Sequence, residues 1–310
     1  MSSIEKTIVV TGPKRSGTTL LNRLFDNHSE LIDVIDESFF WEHVYNHQIR
    51  GLENLFIDTF RNSDPTDLVE GMISRDLFAC LNGVYSQVSN PPFSMDIKFS
   101  RKIFTEYLSN LKNCFTLSDI WYCLMEAYSE ASSVDFSNRE IAFIREGDWG
   151  KSTLATKNTL NKCSCIFIIR NPYSALDSLK RSRELRGQKI LHPINFSQVL
   201  CHYNFFWKNK DKIIDERTIL IRYEDLLTFP EKIMKKISSH VGISFDDRLL
   251  IPTMLGKVWR STSSFNSTSG IDISVKDRKL QCLTNNDLEL IGAHLRPILD
   301  YFDYKKPDLS

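Results

Sequence analysis

Gly12 to Thr19, reading GPKRSGTT, sets two glycines five positions apart among two basic and three hydroxyl side chains. The spacing matches the G-x-x-x-x-G-K-[ST] loop, whose backbone N–H groups point inward at an anion and whose lysine reaches the terminal phosphates of a nucleotide. Thr18 stands in the lysine position, and Lys14 and Arg15 bring the positive charge inside the loop instead. The expectation is a cradle for a phosphate-like group formed by Lys14, Arg15, Ser16, Gly17, Thr18, Thr19 and the loop amides, with no metal. A glycine-bearing strand-to-helix turn with no ligand shares this spacing; the basic pair and the hydroxyls favour the cradle.

A second anion site is expected within Ile169–Arg183, IRNPYSALDSLKRSR. Asn171 suits an N-cap and Pro172 the first helical position, so Arg170 leaves a strand end and Ser178 follows two helical turns later. An arginine fork and a hydroxyl then converge on one anion. Arg183 and Arg186 read as complements to the negative end of the same helix. Two anion sites at neighbouring strand ends suit a nucleotide phosphorylated at both ends of its ribose.

Other groups with possible chemistry are fewer. GKST at Gly150–Thr153 imitates a phosphate loop, but five residues before Gly150 stands Arg145, not glycine. His43 and His47 lie four apart, yet Val44 occupies the position of the glutamate that zinc-protease helices carry, so a metal site is not expected. The seven cysteines form no CxxC pair and read as buried, reduced thiols.

The elements that must position these residues alternate. Ile4–Val10 reads as a buried strand, and Leu20, Leu21, Leu24 and Phe25 recur at helical spacing after the loop. From Phe39 to Asp148 the pattern is mostly helical, with Ile120, Leu124, Ala127 and Tyr128 on one face and a strand at Phe93–Phe99. Strands are expected at Ile141–Ile144, Cys165–Ile169 and Thr218–Arg222, the second followed by a helix to Arg186 that Gly187 stops, and the third by a helix from Pro230 that Gly242 closes. Ser261–Ser269 reads as a loop. The fold class is α/β: a central parallel sheet with helices on both faces and ligands beyond the carboxyl ends of its strands.

Composition narrows the partners. The 39 acidic and 39 basic side chains give a formal net charge of +0, so no global field recruits nucleic acid or a membrane surface. No signal peptide opens the chain and no apolar run approaches the roughly 20 residues that span a bilayer. A cytoplasmic protein is expected.

PKRSGTT at Pro13–Thr19 and RNPYSALDS at Arg170–Ser178 resemble the two nucleotide-binding blocks of the sulfotransferase family. YEDL at Tyr223–Leu226 followed by Gly242-Ile243 looks like its third block, and WRSTSSF at Trp259–Phe265 followed by Gly270-Ile271 is similar to its C-terminal loop. The resemblance runs from Ile4 to about Phe302 and is closer to the bacterial and tyrosylprotein members, which carry arginine before SGTT. It implies one P-loop-like α/β domain over residues 1–310, with a mostly helical substrate-side region at about 39–148.

It also implies 3′-phosphoadenosine 5′-phosphosulfate (PAPS) as donor and its desulfated product PAP. The first block would hold the 5′-phosphosulfate, Arg170 and Ser178 the 3′-phosphate, with Tyr223, Arg260 and Ser264 completing the nucleotide site. Arg15 and Lys151, the latter in a DWGKST segment like the family's WG-x-K-T, would act on the transferring group, Lys157 being the alternative. The KTH histidine of the cytosolic phenol and steroid enzymes is missing, so the base is Glu37, His43 or His47. From the residues themselves, Phe39, Trp41 and His43 are expected on the side of the acceptor, a hydroxyl or nitrogen of a small molecule or saccharide, and Phe40, Tyr45, Trp121 and Tyr122 offer further aromatic surface near that cleft, although aromatic residues at such spacings more often fill a core. A nucleotide-dependent kinase and a non-catalytic nucleotide-binding protein stand as alternatives, and the oligomeric state is left open.

Overall fold

The protein is described from a computed structural model, over residues 4–74, 99–147, 150–184, 187, 193–259, 271–275 and 278–308. Its centre is a five-stranded sheet built from β1 (Lys6–Thr11), β2 (Leu31–Ser38), β3 (Ile141–Glu146), β4 (Cys163–Ile169) and β5 (Thr218–Arg222). The spatial order is β2-β3-β1-β4-β5 and every pairing is parallel. Ile8, Val9 and Val10 of the middle strand and every residue of β4 are buried, as a parallel strand covered on both faces requires.

Alternating side chains divide the core between the two faces. Ile8, Val10, Ile166, Ile168 and Ile221 pack with α1 (Thr18–Phe25), which follows β1. Val9, Ile32, Val34, Ala142, Ile144 and Cys165 face the opposite layer, where α2 (Phe40–Gln48), α3 (Glu53–Asn62), α4 (Pro65–Ser74), α5 (Arg101–Leu108) and α6 (Leu117–Ala131) lie between β2 and β3 in sequence. Ile120, Leu124, Ala127 and Tyr128 of α6 are all buried on that side. Further along, α7 (Lys151–Thr159) links β3 to β4, while α8 (Pro172–Glu184), α9 (Pro193–Lys208) and α10 (Lys210–Ile213) lead from β4 to β5. After β5 come α11 (Tyr223–Thr228) and α12 (Pro230–Val241), which join α1 on its face, and finally α13 (Asn285–Phe302), whose apolar side packs with Phe167 and Ile169 of β4. Gly242 closes α12 in the left-handed conformation, φ 68°.

One strand is added to those expected. Leu31–Ser38 is a strand at the sheet edge, where the sequence suggested only a segment after the first strand and helix. Its acidic residues disguise it: Asp33 is buried because Asn22 donates to its carboxylate at 3.3 Å, and burial holds that carboxyl well above the ordinary range. The strand expected at Phe93–Phe99 lies outside the described residues except for Phe99, which belongs to no strand. Arg186, the expected end of α8, also lies outside them. Among the described residues, no helix is long and apolar enough to cross a membrane.

The connections decide where a ligand goes. From β1 the chain crosses by way of α1 to β2 on one side, whereas from β4 it proceeds to β5 on the other. Between β1 and β4 the strand order therefore reverses, and the crevice at their carboxyl ends is the binding position such sheets provide.

Candidate functional site

That crevice opens between Gly12–Thr19 and Arg170. Thr11 pairs with Phe167, so Gly12 lies against the next residue of β4; a side chain there would begin 2.1 Å from the Ile168 carbonyl oxygen. Ser16 N–H donates to the Pro13 carbonyl at 3.0 Å, curling the loop, and Gly17 caps α1 with φ 104°. Thr18 and Thr19 are then the first residues of α1, with their amides at its electropositive end. A Cβ on Gly17 would lie 2.3 Å from Cδ2 of Tyr223. Gly17→Ala is therefore expected to cost about 2–4 kcal/mol, through the left-handed φ and the clash together. In thermal denaturation that is a fall of roughly 3–6 °C, and an unchanged Tm would show that the Tyr223 ring moves aside freely.

Arg15 ties the two expected anion sites into one. It adopts φ 69°, and its Nε and Nη2 donate to Ser178 Oγ at 3.3 and 3.0 Å. Its carbonyl accepts from Arg170 Nη1 at 3.3 Å, and the Arg170 guanidinium lies 4.6 Å over the Tyr223 ring. Asn171 caps α8 by accepting from Tyr173 N–H at 3.0 Å, while Asn171 N–H donates to Glu224 at 2.8 Å. Lys14 is exposed, and its backbone N–H donates to His202 Nδ1 at 3.4 Å. Arg260 and Ser264 lie outside the described residues.

On the other side of the loop, the ends of β2 and β3 carry a paired set of charges. After a register shift between Asp33 and Glu37, Glu37 stands opposite Arg145, and the two side chains meet at 3.1 Å. Arg145 is buried and Glu37 half-buried, so the guanidinium fixes the carboxylate while leaving it access to the cleft. Gly147 passes directly beneath: a Cβ there would lie 2.2 Å from Glu37 Oε1 and 2.7 Å from the Phe39 ring. Lys151 opens α7 behind Gly150, φ 103°, and reaches Glu42 of α2 at 3.2 Å, with the Tyr45 ring 6.0 Å from its ammonium.

Several sequence expectations are corrected by this packing. Trp41 is fully buried, with Phe40 and Trp121 rings 5.1 and 4.9 Å away, so it builds the core under α2 and does not face an acceptor. Phe40 and Trp121 belong to the same cluster, and Trp121 Nε1 donates to Thr7 Oγ1 at 2.8 Å. Lys157 is buried on Asp215 at 2.6 Å and on the carbonyls of Lys212 and Ile213, which removes it as a substitute for Lys151. His47 Nδ1 donates to the His43 carbonyl one turn back at 2.8 Å, and its ring packs 4.8 Å from Phe56. Phe39 and His43 are half-buried at the start of α2.

The structure also adds residues. Arg145 and Glu42, partners of Glu37 and Lys151, carried no motif signal, and Glu224 was visible only as part of YEDL. His202 is 188 residues from the loop it contacts, and no spacing in the chain announces it.

Comparison with known proteins agrees with this geometry. A family model described as Sulfotransferase domain matches residues 5–281. Among solved structures, the chain is similar to the sulfotransferase domain from the curacin biosynthetic pathway, at 17% identity and TM-score 0.55 over 98% of this chain and 99% of that one. It is also similar to the sulfotransferase domain from the Synechococcus PCC 7002 olefin synthase, at 16% identity and TM-score 0.50 over 99% and 98% of the two chains. At such identities the likeness is one of fold. No curated protein matches.

Proposed function

We propose that this chain, which belongs to the sulfotransferase domain family, transfers a sulfuryl group from PAPS to a hydroxyl or nitrogen of a small-molecule or saccharide acceptor. One observation carries the reading: a single side chain, Arg15, spans from the phosphate loop to Ser178 while Arg170 holds its carbonyl. Two anion-binding strand ends joined over that distance suit one ribonucleotide phosphorylated at both ends of its ribose. Ser16 supports the fit. Its hydroxyl is fully buried with no hydrogen-bond partner among the described residues, a costly state that a phosphate oxygen relieves.

In this assignment Arg15, Ser16, Thr18, Thr19 and the loop amides hold the 5′-phosphosulfate, with Arg170 and Ser178 on the 3′-phosphate. Glu37 takes the acceptor proton as the acceptor atom attacks sulfur in line and the sulfur–oxygen bond to the 5′-phosphate breaks. Arg15 and Lys151 stabilise the charge that develops on the departing phosphate and the sulfuryl oxygens. Phe39 and His43 contact the acceptor. Thr18 in the lysine position, together with the family match, sets the kinase reading aside.

The test is differential thermal stabilisation. PAP at about 100 times its Kd is expected to add about 2.7 kcal/mol, raising Tm by roughly 4 °C, with ATP–magnesium at the same concentration adding much less. The reverse ranking would overturn the assignment in favour of a kinase.

A further inference from the structure

Helix α9 touches both halves of the nucleotide crevice through two consecutive residues. His202 Nδ1 accepts the Lys14 backbone N–H of the phosphate loop at 3.4 Å, and the Tyr203 hydroxyl donates to the Arg170 carbonyl at 2.8 Å. Both side chains are buried, and the helix is itself fixed to the sheet: the Phe206 ring stacks 4.5 Å from Phe167 of β4. Phe205 meets Tyr45, the residue beside Lys151, edge-on at 5.9 Å. The same rigid element thus abuts the loop after β1 and the strand end of β4.

We propose that His202 and Tyr203 are positioning residues that hold the two phosphate-binding strand ends at the separation a ribose bisphosphate requires; this deepens the sulfotransferase reading and rests on it. The phosphates of such a ligand have a spacing set by the ribose, so binding both at once depends on how accurately the two pockets are spaced. A mismatch of about 1 Å is enough to lose much of the second interaction. A ligand with one phosphate places no such demand.

The protonation state of His202 suits this task. A backbone N–H only donates, so Nδ1 keeps its lone pair and the ring proton sits on Nε2. Burial, with the positive charges of Lys14 and Lys151 beside it, pushes the imidazole down to about 3, so the ring stays a neutral acceptor across the working pH range.

The experiment compares affinity for PAP, which engages both pockets, with affinity for adenosine 5′-monophosphate, which engages one. His202→Leu and Tyr203→Phe are each expected to weaken PAP about tenfold, the scale of one lost hydrogen bond, and to change the monophosphate less than about twofold. His202→Asn, whose side-chain oxygen replaces Nδ1 as acceptor, is expected to recover PAP affinity to within about threefold of wild type. Equal weakening of both ligands, or none of either, overturns the proposal while leaving the nucleotide assignment standing. A wild-type protein that fails to bind PAP overturns both. Tyr203→Phe removes one oxygen atom, so it decides the matter alone should His202→Leu fail to fold.

Discussion

Arg15→Ala is expected to lower kcat for sulfuryl transfer about 10²–10³-fold and to weaken PAP about tenfold, while Tm stays within about 2 °C of wild type. The small effect on stability follows from the backbone. Arg15 already sits at φ 69°, so alanine meets the same left-handed conformation at the same cost, and the arginine side chain is only half-buried. What disappears is the pair of hydrogen bonds to Ser178 and a cation at the mouth of the loop. That cation acts most strongly where charge develops: as the sulfur–oxygen bond breaks, the 5′-phosphate gains negative charge beside it. Arg15→Lys keeps the charge and loses the fork, so an intermediate kcat is expected. Steady-state kinetics with varied PAPS, together with PAP titration, check the prediction. Near-normal turnover in Arg15→Ala with an intact fold would sink the role assigned to this residue.

The groups that carry this chemistry gather at one edge of the sheet because every strand is parallel. The carboxyl ends of β1, β3 and β4 all point the same way, and each is followed by a helix whose first turn opens on the crevice: α1 behind Gly17, α7 behind Gly150 and α8 behind Asn171. Three electropositive helix ends therefore lie at the same edge of the sheet, with Lys14, Arg15 and Arg170 beside two of them. On the acceptor side the charges are matched, Glu37 with Arg145 and Glu42 with Lys151.

What was legible in the sequence was local. The phosphate loop, the Arg170–Ser178 segment and the flanking strands each owe their form to residues within about ten positions, through glycine conformations, caps and apolar runs. The strand Leu31–Ser38 was hidden because Asp33 is buried by partners on α1 and α6: Asn22 meets its carboxylate and the Tyr128 hydroxyl its carbonyl. Trp41 was misplaced for the complementary reason. An aromatic residue at the start of a helix beside a cleft has the same sequence pattern whether it lines the cleft or fills the core, and only the close Phe40 and Trp121 rings decide. The contacts of Arg145, Lys151 and His202 join segments that meet only when the sheet is assembled, so no motif could encode them.

The base offers the sharpest separation of chemistry from binding. Glu37→Gln is expected to lower kcat about 10²–10⁴-fold with PAP affinity within about twofold of wild type, since glutamine keeps the shape and loses only the ability to take a proton. Gly147→Ala tests the same group by geometry and not by charge. Its new methyl would lie 2.2 Å from Glu37 Oε1, 2.6 Å from Cδ and 2.7 Å from the Phe39 ring, so the carboxylate and the ring must both shift. A displacement of that size is expected to cost about 10²-fold in kcat, again with PAP binding preserved. His43 is the competing base, half-buried in the first turn of α2. If His43→Gln lowers kcat by that factor while Glu37→Gln leaves it near wild type, the proton passes to the imidazole, and the pairing of Glu37 with Arg145 is left as a structural tie between β2 and β3.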